Sequence, residues 1–468
     1  MDPRSACTLS RGWRLLLVTS VVALTCLAFT AVAGAASFKQ IWGTGTPTWT
    51  VQLPGSGISN DSANATVMTS SGVTYVTGAL GNAAGNTDLS LTEIVAGHKK
   101  WTKTYNGPAQ GSDGGQKIAL GPKGIVYTAG WTTNSAGNLD MLLVKWSPAG
   151  KKLWVRTYNG PKHGADSVAG LGVDTKGNVT VFGPSVGPYG NDYAVVSWTA
   201  TGVKRATWRY VGSGHGNNIP TDLLVARDST VYVTGWAWVL GGKYAAVTAK
   251  FSAKGKHLWT RTYAGADALG AGGNALAACP KGGVYVGGYV NLAATGTDAL
   301  ILRYTAAGSG SVFARDTDGA TGTTAQWFND IGVTTGGYVI GAGATAENDA
   351  SGDAYFKDYA PSGAYVTGLT VAWGPWIQAF NKVTTDRMGG YYLAGSIYTS
   401  ATASDIILYR GSQNLGGNFW QCIWGNDASH VGLNLPSDVA VSGTTVYVTG
   451  SCATTAAGTD QIALGFAY

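Results

Sequence analysis

The sequence predicts an all-β fold made of eight repeated four-stranded units, and three observations predict it. The first is composition. Of 468 residues, 70 are Gly, 11% are aromatic and only 12% are charged. Many short strands joined by tight turns need this balance, because Gly supplies turn geometry and aromatic or β-branched side chains suit a pleated, half-buried surface. Periodic runs of helix formers are hard to find beyond the first 36 residues. The second is a recurring strand phrase: VTYVTG (73–78), IVYTAG (125–130), NVTVFG (178–183), TVYVTG (230–235), GVYVGG (283–288), GYVIGA (337–342), GYYLAG (390–395) and TVYVTG (445–450). Its end positions step by 52, 53, 52, 53, 54, 53 and 55 residues. The third is a second phrase, KKLWVRTYNG (151–160), with close copies at 99–107 and 256–265.

Each unit divides into the same four pieces. A short apolar piece opens it, as in QKIALG (116–121) or SDVAVS (437–442). A tight turn such as PKG or TKGN leads to the anchor phrase, whose alternation is that of a strand. A Gly/Ser/Asn loop follows. A third strand then opens on Asp, as in DMLLVKW (140–146), DYAVVSW (192–198) and DALILRY (298–304). A Gly-containing turn leads to the fourth strand, which is the Trp-bearing phrase. Four antiparallel strands repeated eight times describe a β-propeller. Units of about 53 residues leave no room for a second domain.

The two ends of the repeat fit together. The last unit stops at Tyr468 after its third strand, DQIALGFAY. PTWTVQLPG (47–55) supplies the missing fourth strand, with Trp49 where other units carry Trp101, Trp154, Trp208, Trp259 and Trp420. Closure of this kind hides an otherwise open sheet edge. Ahead of it, Arg4, Arg11 and Arg14 precede an apolar run from Leu15 to Ala33, then Ala33-Gly34-Ala35. This is the pattern of a cleaved secretory leader, with an uncleaved membrane anchor as the alternative because the apolar run is near spanning length. The expected division is therefore a signal peptide over 1–35 and one propeller domain over 36–468, on a protein that is secreted or held at the cell surface. Cleavage lowers the formal charge from +6 to +4, which by itself implies no partner. It leaves Cys279, Cys422 and Cys452, of which Cys422 and Cys452 lie in adjacent repeats and are the pair to test.

The recurrent residues read as structural. The fourth-strand Trp is expected to pack between neighbouring units, with Phe313 in its place in unit 5. The aspartates opening the third strands (Asp88, Asp140, Asp192, Asp298, Asp353, Asp405, Asp460) are expected to tighten loops. One Asp per loop is too few for a calcium site. Asp61, Asp113 and Asp166, each 17 residues before an anchor Gly, read the same way.

DTKGNVTVFG (174–183), followed by NDYAVVSW and the LW…YNG phrases, resembles the bacterial seven-bladed β-propeller repeat (SBBP) family. The resemblance runs through most of 47–468 and is strongest in units 1–4. It implies a secreted or surface repeat protein without assigned catalysis. It also implies seven blades, where the repeat count here is eight. The turn-then-Trp phrase AGKKLW is similar, more weakly, to quinoprotein-type propellers.

Function is sought on the two faces. Strand order puts the first–second and third–fourth turns on one face, and that face is basic. Lys99, Lys100, Lys151, Lys152, Lys204 and Arg205 lead the candidates for holding an anionic cell-wall polymer or polysaccharide. Solvated turns are the bland alternative. The opposite face carries His163, His215 and His430, with Trp131, Trp236 and Trp238 just after anchor strands. Trp236 and Trp238 either stack on a sugar ring or fill a gap between blades. No catalytic motif, metal set or cofactor signature stands out, and the inner strands read as small and apolar with few candidates. The expectation is a monomeric, non-catalytic binding module for an anionic cell-wall polymer, a polysaccharide or a protein partner, without cofactor, metal, nucleic-acid partner or, after leader cleavage, membrane. The rival is a propeller lyase or glycosidase acting on extracellular polysaccharide, with acids meeting in the channel.

Overall fold

The computed structural model describes residues 41–42, 47–55, 61–265, 268–316, 325–346, 352–371, 378–400, 403–412, 420–424, 434–454 and 458–467. The expected leader and His430 lie outside them. The chain forms eight antiparallel blades of four strands each. Blade 1 comprises Ser62–Met68, Val73–Gly81, Thr87–Val95 and His98–Tyr105. Blades 2 to 7 begin at residues 113, 170, 219, 268, 325 and 378. Their first strands touch one another in a closed circuit, so the molecule is an eight-bladed propeller around a central channel.

Blade 8 has Asn434–Ser442, Thr445–Thr454 and Gly458–Ala467, and its fourth strand is Trp49–Leu53. That strand pairs from Trp49↔Gly465 to Leu53↔Gln461. The expected closure is therefore what the chain does. Ile41–Trp42 adds a short parallel edge to blade 7, against Trp420–Gln421.

One apolar core sits at each blade interface rather than at the molecular centre. Between blades 4 and 5, for example, Tyr232 and Trp259 pack with Leu276, Val286 and Leu302. The closing interface uses Val51 and Leu53 with Ala63, Val76 and Ile94. At the outer edge, the fourth-strand Trp reaches the next blade. Trp154 Nε1 donates to Ala200 O at 3.3 Å and Trp259 Nε1 to Ala306 O at 3.2 Å, each carbonyl lying in the next blade's third–fourth turn. Trp49 presses on Gly97 of blade 1 in the same way. The structural reading of these tryptophans holds.

The anchor glycine has a steric cause. Most first strands carry a β-bulge opposite it, as at Ala63/Ala65 and Gly115/Lys117. The bulge drives a first-strand carbonyl into the space a Cβ would need. A Cβ at Gly78, Gly130, Gly183, Gly235, Gly288, Gly343, Gly395 or Gly450 would collide with such a carbonyl. In blade 6 the equivalent glycine is Gly343, one residue beyond the phrase that marks it in the sequence.

The suggested Cys422–Cys452 bridge is not formed. Cys452 is a free, buried thiol on the second strand of blade 8, packed into the interface with blade 7 beside Ile406 and Val439. Cys422 lies on the fourth strand of blade 7, two strands farther out than the second strand that carries Cys452. The two positions are adjacent in repeat number but far apart along the blade radius.

Candidate functional site

The channel is not lined only by small apolar residues. The position just after the bulge carries Ala65, Lys117, Gly170, Asp222, Ala275, Asp330, Lys382 and Asp438 in blades 1 to 8. Five charges therefore share one level, and the sequence reading missed them. They were findable: each sits 12 or 13 residues before its anchor glycine, inside the short piece that opens the unit.

The three aspartates are clasps. Asp222 accepts from Leu223 N and, across the interface, from Leu276 N, both at 2.8 Å. Asp330 accepts from Ile331 N at 2.9 Å and Val383 N at 3.0 Å. Asp438 accepts from Val439 N and, closing the ring, from Thr66 N, both at 2.9 Å. Bulge residues add a second set of straps. Asn64, Asn274 and Asn329 donate to Gly115 O, Phe328 O and Phe380 O of the following blades at 2.7–3.0 Å.

The two lysines offset part of the charge of these three carboxylates. Lys382 Nζ lies 3.9 Å from Asp330. Asp330 beside it, helped by Asp438 and Asp222, holds the Lys382 ammonium above the usual lysine range against its partial burial. Burial, then Lys382 nearby, pushes Lys117 down. Burial pushes Asp222 and Asp438 up, with Lys117 and Lys382 opposing. A glycosidase needs carboxyl oxygens turned toward substrate. Here each carboxylate turns both oxygens to backbone N–H groups, so the ring does a structural job.

Several of the repeated aspartates tighten loops as expected. Asp61 accepts from Gly55 N and Gly81 N at 2.6 Å, and Asp166 from Gly160 N at 2.6 Å. Asp113 accepts from Gly107 N at 2.5 Å. Gly107 and Gly160 end the YNG phrases, which explains why those phrases close on glycine. Asp88 and Asp140 accept from Asn82 and Asn134 of their own loops, and Asp192 pairs with Arg209 at 2.9 Å.

The basic candidates form an arc along the rim. In blades 1–4 the fourth strands and the turns before them carry Lys99, Lys100 and Lys103; Lys151, Lys152 and Arg156; Lys204, Arg205 and Arg209; Lys254, Lys256 and Arg261. No Asp or Glu interrupts these segments, and the matching segments of blades 5–8 contain only Arg315. Some of these cations are committed to the fold. Arg156 and Arg261 donate to Gly202 O and Gly308 O of the next blade. Lys152 and Lys204 lie over Tyr105 and Tyr158, 5.1 and 5.2 Å from the ring centroids. Lys99, Lys100, Lys103, Lys151, Lys254 and Lys256 are exposed, and Arg205 is half-buried.

Trp236 and Trp238 lie within the second strand of blade 4, Val231–Val239, rather than after it. Both are half-buried, with Ala237 fully buried between them. Trp236 donates to Asn274 Oδ1 at 2.9 Å and meets Tyr289 edge-on, so it fills the gap to blade 5. Trp238 lies against Gly214 and Gly216 of the incoming loop and meets Tyr244 edge-on at 5.0 Å. His163 and His215 stand at equivalent loop positions one blade apart, both with left-handed backbone, φ 52° and 56°.

No protein-family model matches the chain, and no curated protein matches it. The SBBP resemblance therefore rests on the sequence phrases alone. Solved structures do match. Sqt1 of Chaetomium thermophilum, crystallised with the N-terminus of ribosomal protein L10, aligns over 91% of this chain and all of its own, at 11% identity and a TM-score of 0.54. A europium-containing methanol dehydrogenase aligns over 90% of this chain and 93% of its own, at 11% identity and 0.53. The polysaccharide lyase Uly1 aligns over 80% and 93%, at 11% identity and 0.47. At such identities the likeness is one of fold. The chain is a β-propeller. Among the described residues no helix is long and apolar enough to cross a membrane.

Proposed function

We propose that this chain is a secreted, non-catalytic binding module that holds an anionic polymer, such as an acidic polysaccharide of the cell wall, along the rim of blades 1–4. The observation that carries the reading is the lopsided charge. Twelve Lys and Arg fall in the outer strands of four successive blades and the turns leading into them without one acid among them, against a single Arg in the matching segments of the other four; the first–second turns on the same face add Lys123, Lys176, Arg227, Lys281 and Arg387, partly offset by Asp174, Asp228 and Asp386. Repeat symmetry alone would spread them evenly. An arc of like charge raises the local concentration of an oppositely charged partner and suits an extended chain better than a small ligand. The arginine-led leader followed by an apolar run supports export, and the SBBP-like phrases support a surface repeat protein. The channel carboxylates, each committed to two backbone donors, weigh against the lyase or glycosidase alternative.

The test is binding to polygalacturonate, with uncharged dextran as control, at low salt and at about 0.5 M NaCl, where exposed charges are screened. The expected result is polygalacturonate binding that salt abolishes. The triple variant Lys99→Glu, Lys100→Glu, Lys151→Glu should weaken it at least about tenfold, since each reversal both removes and opposes an attraction. Equal binding by the variant would overturn the assignment.

A further inference from the structure

The opposite face carries a surface that the repeat does not require. Residues that recur from blade to blade have structural work to do, as the anchor glycines and outer tryptophans show. Residues that depart from the repeat at exposed positions have no such work. Six residues after the anchor glycine, blades 1 and 2 carry exposed Ala84 and Ala136. Blade 3 carries Tyr189 there, 54% exposed. Three residues after the anchor glycine, blades 2 and 3 carry Thr133 and Val186, each lying under the glycine of the incoming loop. Blade 4 carries Trp238, under Gly216.

These departures converge. Tyr189 stacks on His215, with ring centroids 4.2 Å apart and planes 9° from parallel. His215 occupies a left-handed backbone position between Gly214 and Gly216, the two glycines that rest on Trp238. Leu240, 75% exposed, is tied to the same loop through its N–H to Ser213 Oγ at 3.2 Å. The Tyr189 loop is tied in through Asn191 N, which donates to Asn217 Oδ1 at 2.9 Å. The stretches 187–191, 211–219 and 236–242 contain no Asp, Glu, Lys or Arg.

We infer that this loop cluster is a binding platform for neutral carbohydrate. A pyranose ring has a flat C–H face edged by hydroxyls. Exposed rings that are already held in place offer that face contact area at low entropic cost, and short amide and hydroxyl side chains beside them can bond the edge. The scarcity of fixed charge, with only Asp192 (paired with Arg209) and Lys243 bordering the three stretches, fits an uncharged sugar, in contrast to the basic rim on the other face. The site is independent of the rim, and its binding does not respond to salt.

The experiment is a tryptophan-fluorescence titration of the full chain with cellohexaose and maltohexaose at low and high salt. Tyr189→Ala restores the residue blades 1 and 2 carry, so the fold is preserved. It should weaken binding at least about tenfold, as loss of a central aromatic contact does. His215→Ala should do the same, while His163→Ala, at the equivalent place without a tyrosine partner, should bind like the parent. Failure of both hexaoses to bind at millimolar concentration overturns the inference, as does undiminished binding by Tyr189→Ala. Loss of binding in salt would instead assign the sugar to the rim.

Discussion

Replacing Asp330 by Ala should destabilise the propeller more than any exposed loop substitution, and the structure sets the scale. The change orphans Ile331 N–H and Val383 N–H, the second of which belongs to the next blade. A backbone donor left without a partner costs about 1–3 kcal/mol. Lys382 also loses its nearest counter-charge, though it keeps Asp438 and Asp222. Its side chain is 34% exposed, so solvent screens much of that loss. Together these give about 3–4 kcal/mol. Asp330→Asn keeps one acceptor oxygen and should cost about half as much. Thermal midpoints are a blunt reporter, because a chain of this length shifts only about 1 °C per kcal/mol. Urea unfolding followed by tryptophan fluorescence is the better assay. A stability for Asp330→Ala within about 0.5 kcal/mol of the parent would refute the clasp.

Trp49→Ala should lower stability by about 2–3 kcal/mol, below the usual cost for a buried Trp because Trp49 is half-exposed, and urea melts of the variant check it. Asp358 is buried in blade 6, and burial pushes its carboxyl up to about 7. A raised folded value means that its stabilising contribution is complete below the unfolded value and is lost as pH rises through about 7. The parent should therefore lose on the order of 3 kcal/mol between about pH 4 and 8 that Asp358→Asn does not lose, seen as a flatter stability–pH curve. Burial also raises the Cys452 thiol, so Cys452 should resist alkylation in the native chain and react fully once unfolded, at the same mass with or without prior reduction.

Much of the fold was legible because the repeat exposes it. A glycine forced by a colliding carbonyl, or a tryptophan that must reach the next blade, recurs at fixed spacing and can be read without coordinates. Ring closure was legible for the same reason, since Trp49 stands alone in a unit otherwise lacking its partner strands. The channel charges were harder to see. Lys117, Asp222, Asp330, Lys382 and Asp438 change sign or vanish from blade to blade, so no repeated letter marks them. Only the common register joins them. The Cys422–Cys452 suggestion failed because neighbouring repeat numbers do not place two residues at the same radius. Of the site candidates, Trp236 proved to be committed to an interface, while Tyr189 was overlooked because a single exposed tyrosine in a Gly/Pro loop carries no sequence signal of its partner.

The strand that closes the ring also fixes an order of events. Thr48 bonds to Gly465 across 417 residues of chain. During synthesis, the first of the four-stranded blades' own strands to emerge is thus the last to find its partner, and the short Ile41–Trp42 edge ahead of it waits likewise for blade 7. Seven blades can form behind it while Trp49–Leu53 waits and the eighth sheet lacks its outer strand. Until then both the waiting segment and the unfinished blade present unpaired edges to other chains. A circular permutant that joins Tyr468 to the segment before Trp49, with new ends between two blades, would make blade 8 a local hairpin. It should reach the same ring faster and with less aggregation. The parent's late closure is therefore a hazard of connectivity and not of the architecture itself.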